Sequence, residues 1–182
     1  MKKFELTSES VTFLGKTLFR IKALVSFGDV AEGELGGFIE RENNLDQSGD
    51  AWVSGDARVC GDAKVFGNAW VSGDARVCGN AWVSGDARVC GDARVFGNAW
   101  VSGDARVQNC RDYSATSCFG SENRTTTFFR TKDGGISVRC GCFYGTLAEF
   151  REKVKERHGD SRTAKEYLML ADLMEFRLSK DE

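Results

Sequence analysis

From Gly49 to Gln108 the apolar positions of the chain recur every six residues. Ten consecutive hexads of the form G-[DN]-A-x-V-x follow one another without insertion or gap. Within each, A-x-V sets Ala and Val on one face of a short strand and the residue between them on the other, because strand side chains alternate. The Gly-Asp or Gly-Asn that follows supplies a bend: Gly tolerates positive φ, and Asx side chains hydrogen-bond their own turn backbone. Strand, bend, strand, bend predicts a short-stranded solenoid lined by Val53, Val59, Val65, Val71 and onward to Val107, separated by Ala. Each coil needs its neighbours to bury that lining.

Both ends of such a body must be closed. Before the hexads, "VTFLGKTLFRIKALVSFGD" alternates apolar and polar residues around Gly15 and predicts a β-hairpin, and "GELGGFIERENNLDQSGD" leads into the first coils. After Gln108 the pattern decays. "TTTFFRTKDGGISVRCGCF" predicts two strands around Asp133-Gly134-Gly135, Thr146 to Glu149 match a capping box that opens a helix, and Gly159 is a stop. A second helix is predicted from Arg162 to Leu178, with Tyr167, Leu168, Leu170, Ala171 and Leu173 on a broad apolar face. The chain thus divides into a hairpin and lead-in (1–45), a solenoid (46–122) and an α+β cap (123–182) made of a hairpin and two helices.

The hexads resemble the hexapeptide-repeat family of left-handed parallel β-helices, in which three hexads make one triangular coil. "LFRIKAL" (Leu18–Leu24), Gly28-Asp29-Val30 and Leu35-Gly36-Gly37-Phe38-Ile39-Glu40 add a resemblance to bacterial and prophage proteins labelled polymer-forming or hexapeptide transferase. The fold this implies is mainly β, a left-handed parallel β-helix with an N-terminal hairpin cap and a C-terminal α+β cap. It also implies a homo-oligomer, with a trimer favoured.

An 18-residue coil sorts the outward residues into three columns. Trp52, Trp70, Arg88 and Arg106 form one, Arg58, Arg76 and Arg94 the second, Lys64, Trp82 and Trp100 the third. Such columns either grip bases and phosphates or simply ladder up a wall. Residues 49–78 recur as 79–108 with only Asp50/Asn80, Lys64/Arg94 and Cys78/Gln108 changed. Five hexads are not a multiple of three, so the copy is turned onto different faces, which favours laddering over a tuned surface. Asp56, Asp74 and Asp92 fall on one corner, each two residues before an Arg, and predict an ion ladder along the rod.

Composition adds exclusions. The 25 Lys and Arg are matched by 27 Asp and Glu, so no basic excess announces nucleic acid or an anionic membrane. No apolar run is long enough for a signal peptide or membrane span, which points to a soluble, cytoplasmic protein. Of the seven Cys, Cys60, Cys78 and Cys90 stand where Ser stands in other hexads. They read as small side chains in a reducing compartment, not as a disulfide framework.

The candidate chemistry is sparse. Hexapeptide-repeat acyltransferases use a His on the coils, and the related carbonic anhydrases use several; here the lone His158 ends a helix of the cap. Cys140-Gly141-Cys142 with Cys110 and Cys118 lacks the usual C-x-x-C spacing of a zinc site. No cofactor, metal or catalytic residue is therefore assigned. The reading that follows is a non-catalytic binding or interaction protein, a phage accessory that counters host defence by occluding a host protein or sequestering a nucleotide signal. Its richest supply of Arg and aromatic ligands is Arg124, Phe128, Phe129, Arg130, Arg139, Phe143 and Tyr144 in the cap. An acyltransferase descendant and a plain scaffold are the alternatives.

Overall fold

A computed structural model describes residues 2–179. The hexads form ten two-residue strands, β4 to β13, at Trp52–Val53, Arg58–Val59, Lys64–Val65, Trp70–Val71, Arg76–Val77, Trp82–Val83, Arg88–Val89, Arg94–Val95, Trp100–Val101 and Arg106–Val107. They stack in parallel as three walls: β4-β7-β10-β13, β5-β8-β11 and β6-β9-β12. Partners lie 18 residues apart, as Trp52 to Trp70 and Val53 to Val71 show. Every third hexad therefore returns to the same wall, and the three outward columns fall where the period puts them. Backbone bonds such as Arg76 N–H to Ala93 O (2.8 Å) and Cys78 N–H to Val95 O (3.0 Å) join coil to coil. The Ala and Val of all ten hexads are fully buried, which makes the solenoid core a narrow, continuous column.

Glycine holds the corners because two requirements meet there. Gly85 has φ +67°, and a Cβ on it would come 2.8 Å from the backbone nitrogen of Gly103 in the next coil. Gly97 has φ +71° with nothing within 4 Å. Beside the glycines, Asn68 Nδ2 donates to Asp86 Oδ1 (2.9 Å) and Asn80 Nδ2 to Asn98 Oδ1 (3.0 Å), so the polar corner is partly an amide ladder.

The Asp-Arg ion ladder does not form. Among the described residues, none of Asp56, Asp74 and Asp92 pairs with Arg58, Arg76 or Arg94; Asp56 instead lies 3.9 Å from Arg20. The Arg58 and Arg76 guanidinium groups lie over the ring of Phe13, 5.3 and 5.1 Å from its centre, and the carboxylates stay in solvent. Stacking on an aromatic face competes with an exposed ion pair, which is itself a weak interaction.

The N-terminal hairpin, β1 (Phe4–Phe13) and β2 (Lys16–Ala23), extends a solenoid wall. β2 pairs antiparallel with β3 (Leu35–Ile39), and β3 pairs parallel with β5. The open strand edge of the first coil is closed by side chains and by Leu45, which bridges to Val65. Asn44 Nδ2 donates to the carbonyls of Gly61 (3.0 Å) and Ala63 (2.9 Å), and buried Lys3 Nζ donates to those of Ala51 (2.9 Å) and Gly49 (3.2 Å). Burial pulls the Lys3 ammonium below the ordinary lysine range, against Asp46 and Asp50. Glu40 ties lead-in to coil: it accepts from Lys16 Nζ at 2.8 Å and from Gly61 N–H at 2.7 Å.

The cap is larger than one hairpin. Strands β14 (Tyr113–Phe119), β15 (Arg124–Arg130), β16 (Ile136–Cys140) and β17 (Phe143–Thr146) form an antiparallel sheet in that order, and α1 (Leu147–His158) and α2 (Arg162–Leu178) cover one side of it. β14 lies before residue 123, yet its hydrogen-bonding partner is β15. The sheet plugs the last coil: Trp100 N–H donates to Thr127 Oγ1 (3.0 Å), Lys132 N–H to Asp104 O (3.0 Å), and Ala105 bridges to Thr131. Strand alternation sends Phe129 into the solenoid core and its neighbour Phe128 into the helix-side core.

Cys60 and Cys78 are joined by a disulfide, which corrects the expectation of unpaired small side chains at these positions. They are 18 residues apart, so stacking brings their Cα atoms to 4.7 Å. Cys90 stacks between Ser72 and Gln108 and has no such neighbour. Leu18 and Phe38 bury the bridge, with Val11 and Phe13 packed on it.

Two outcomes are expected. Gly85→Ala loses more stability in urea than Gly97→Ala: both strain the backbone, by about 1–3 kcal/mol, but only the first meets the next coil. Glu40 carries a carboxyl held below its usual range, first by the hydrogen bond from Lys16, then by Gly61 N–H and the nearby charges. A depressed carboxyl contributes stability above its unfolded pKa and loses it as pH falls through the folded value. Glu40→Gln should therefore flatten the fall in urea midpoint on acidification below the ordinary glutamate range.

Candidate functional site

The cap holds a cleft of about 500 Å³ between the β16–β17 turn and the two helices. Its position follows from local sequence. Thr146 accepts from Glu149 N–H (3.2 Å) while Glu149 Oε2 accepts from Thr146 N–H (2.8 Å), which starts α1 at the sheet edge. Gly159, at φ +55°, ends it and lets the chain reverse into α2. Along α1, Phe150, Lys153, Val154 and Arg157 line the cleft at helical spacing, and His158 closes the row. Tyr167 of α2 and Phe143 of β17 complete an aromatic floor, with ring centres 5.7 and 5.6 Å from Phe150. His158 packs 5.9 Å from Tyr167.

Cationic groups stand on the rim of this floor. Arg124 lies 3.7 Å from Glu122, and Lys153 pairs with Glu156 at 2.8 Å. Arg157 has no ion pair among the described residues. Thr126 Oγ1 donates to Cys140 Sγ (3.2 Å), and the thiol lies 3.8 Å from Tyr167 Oη. Burial, and then Cys140, push the Tyr167 hydroxyl up to about 12, so it stays protonated at neutral pH. A cationic rim over an aromatic floor suits an anion with a planar or apolar body.

The cap residues expected to bind a ligand do not all converge here. Arg124 and Phe143 line the cleft. Phe128 and Phe129 are fully buried in two different cores and cannot touch a ligand. Arg130 is a strut: it donates to the carbonyls of Leu178 (2.8 Å) and Ser179 (2.9 Å) and pairs with Asp112 (3.4 Å). Arg139 stacks over Trp100 at 3.6 Å, with Tyr144 beside it at 5.9 Å, at the junction of cap and rod. Lys153 and Arg157 lie outside the expected ligand set, His158 enters it only as the lone histidine of the cap, and Tyr167 only as part of an apolar helix face. The spacing 150, 153, 154, 157 was the available signal, since it marks one stripe of α1 as mixed aromatic and basic.

The rod-wall columns are uneven. Trp52 is fully buried, not part of an exposed ladder, because Phe4 and Phe27 of the N-terminal segment pack edge-on against it at 6.5 and 5.4 Å. Trp70 and Trp100 are half-buried and donate from Nε1 to Ser54 and Ser84, each at 3.1 Å. Arg58 and Arg76 are occupied by Phe13, whereas Arg88 and Arg94 are exposed. Trp82 is exposed and lies 5.0 Å from Trp100. Among the described residues, no group of three or more His, Cys, Asp or Glu lies close enough to hold a metal ion, and Cys110, Cys118, Cys140 and Cys142 form no such cluster. Nor is any described helix long and apolar enough to cross a membrane.

Three parallel walls, a continuous Ala/Val core and closed ends define a β-solenoid repeat protein. A family model described as YdcK Beta solenoid repeat matches residues 57–73, 69–85, 75–90 and 87–103, about a quarter of the chain. No curated protein matches it.

Thiol labelling of denatured, unreduced protein should modify five cysteines, Cys90, Cys110, Cys118, Cys140 and Cys142, with peptide mapping locating the linked pair at Cys60 and Cys78. Labelling of Cys60 or Cys78 without reductant would contradict the bridge.

Proposed function

We propose that the chain is a non-catalytic binding protein whose solenoid rigidly presents a cap, and that the cleft of the cap holds a small anionic ligand, a nucleotide being the best chemical fit. The observation that carries this reading is the juxtaposition of Arg124, Lys153 and Arg157 around Phe143, Phe150 and Tyr167 in one concavity. Guanidinium and ammonium groups answer phosphates, and aromatic rings answer a base. The volume is within the range of small-molecule sites. Sequestration of a nucleotide signal is the counter-defence role that the leader's resemblance to prophage-carried proteins suggests.

An acyltransferase is the alternative, favoured by one feature: His158 and Cys140 line the same cleft. Native mass spectrometry of freshly purified protein, followed by calorimetric titration with nucleoside mono-, di- and triphosphates, separates the readings. The expected result is a defined homo-oligomer carrying a phosphorylated passenger that is released unchanged. Arg157→Ala combined with Lys153→Ala should weaken nucleotide binding by tenfold or more, about 1.4 kcal/mol, while Arg88→Ala on the rod wall leaves it intact. Turnover of acetyl-CoA that is lost in His158→Ala would replace the binding reading with the enzymatic one.

A further inference from the structure

A second concavity, of about 580 Å³, lies at the opposite end of the rod, where the lead-in crosses the β6-β9-β12 wall. Leu45 bridges in parallel to Val65, so the lead-in is one more strand of that wall in register. Asp46 N–H donates to Val65 O (2.9 Å), so Asp46 falls level with Phe66, and buried Asn44 falls level with Lys64, which is 18 residues before Trp82. The outward column of the wall therefore carries ammonium and indole, with the Asp46 carboxylate lining the groove on the Phe66 side. Phe66 stands beside Trp82 at 5.7 Å, edge to face, and Trp82 is 39 % exposed. Glu42 and Asn43 form the other lip.

The charges of this groove balance locally. The lining holds two carboxylates, Glu42 and Asp46, and one ammonium, Lys64; Lys2 pairs with Glu42 at 2.8 Å, and the Lys3 charge acts on Asp46. Asp46 is fixed as an anion chiefly by the Ser48 N–H (3.1 Å), aided by the Ser48 hydroxyl. An ion of either sign thus gains little net attraction. What remains is an exposed indole flanked by fixed acceptors (Glu42, Asp46), a donor (Lys64) and an amide that is both (Asn43). Neutral ligands with C–H faces and dense hydroxyl groups match that set: the C–H face lies on the indole, and the hydroxyls bond in both senses. Serine and threonine side chains of a peptide offer too few hydroxyls to use it, and a nucleotide brings unanswered charge.

We propose that this groove is a carbohydrate-binding site for a neutral oligosaccharide, with Trp82 as its platform and Asp46, Glu42, Asn43 and Lys64 as its polar contacts. The site is separate from the cap cleft and does not depend on what that cleft binds. The test is a titration of the full chain with neutral glucose-, galactose- and N-acetylglucosamine-based hexasaccharides, read by the indole N–H resonances of ¹⁵N-labelled protein, assigned through single Trp→Phe variants. At least one sugar should shift the Trp82 resonance saturably while Trp52 and Trp70 stay in place. Trp82→Ala should weaken binding tenfold or more and Trp82→Phe should recover part of it, with urea midpoints showing that both variants fold. No saturable shift with any of the sugars at 10-millimolar order, or binding unchanged in Trp82→Ala, would overturn the proposal. So would a saturable Trp82 shift with hexa-arginine and with none of the sugars, since the occupant would then be a cationic peptide.

Discussion

The structure depends on one constraint, that a coil with an Ala/Val lining can bury itself only against an identical coil in register. Each two-residue strand is too short to stand alone, and between coils its backbone hydrogen bonds run to the strand 18 residues away. That dependence propagates to the ends, where the strand edges require partners of another kind. At one end Lys3 and Asn44 donate side-chain N–H groups to orphan carbonyls; at the other Thr127 and Thr131 of the cap complete the last walls. The chemistry available for function is thereby confined to the leader, the cap and the outward position of each hexad, since the corner glycines and inward alanines are fixed by the coil.

The wall columns show how the ends reshape a periodic surface. Period alone makes Trp52 and Trp70 equivalent, and Arg58 equivalent to Arg94. Packing breaks the equivalence: Phe4 and Phe27 seal Trp52, and Phe13 draws Arg58 and Arg76 onto its ring, while Arg94 remains in solvent. The near-perfect duplication of five hexads therefore produces chemically different copies, one under the hairpin and one beyond it. The same displacement explains why Trp82 is open. It lies on the wall that the hairpin does not cover, between a stacked Trp100 and the polar lead-in.

The solenoid was legible because every determinant was local and repeated: a Gly for the corner, an Ala and a Val for the lining. The helices were legible for a similar reason, through the Thr146 capping box and Gly159. Contacts between distant segments were not. Nothing near Phe129 in sequence distinguishes it from Phe128, and only the sheet's placement against the last coil sends one to the rod and the other to the helices. The disulfide needed the 18-residue register applied to Cys60 and Cys78, an inference open to the sequence. The cleft needed three separated segments to meet, so Arg124 and Phe143 were found while Arg157 and Tyr167 were not.

Ten hexads make three coils and one wall over, so the last strand, Arg106–Val107, lies on the same wall as the first, Trp52–Val53. The repeat count is consequently a gear as well as a spacer. Deleting or adding one hexad would keep every local contact type, yet it would swing the cap by a full wall relative to the leader and move the two concavities around the axis. A five-hexad duplication turns the ends by two walls, and only steps of three hexads lengthen the rod without turning it. The mutual bearing of the ends is therefore a variable that changes in discrete clicks with the number of hexads.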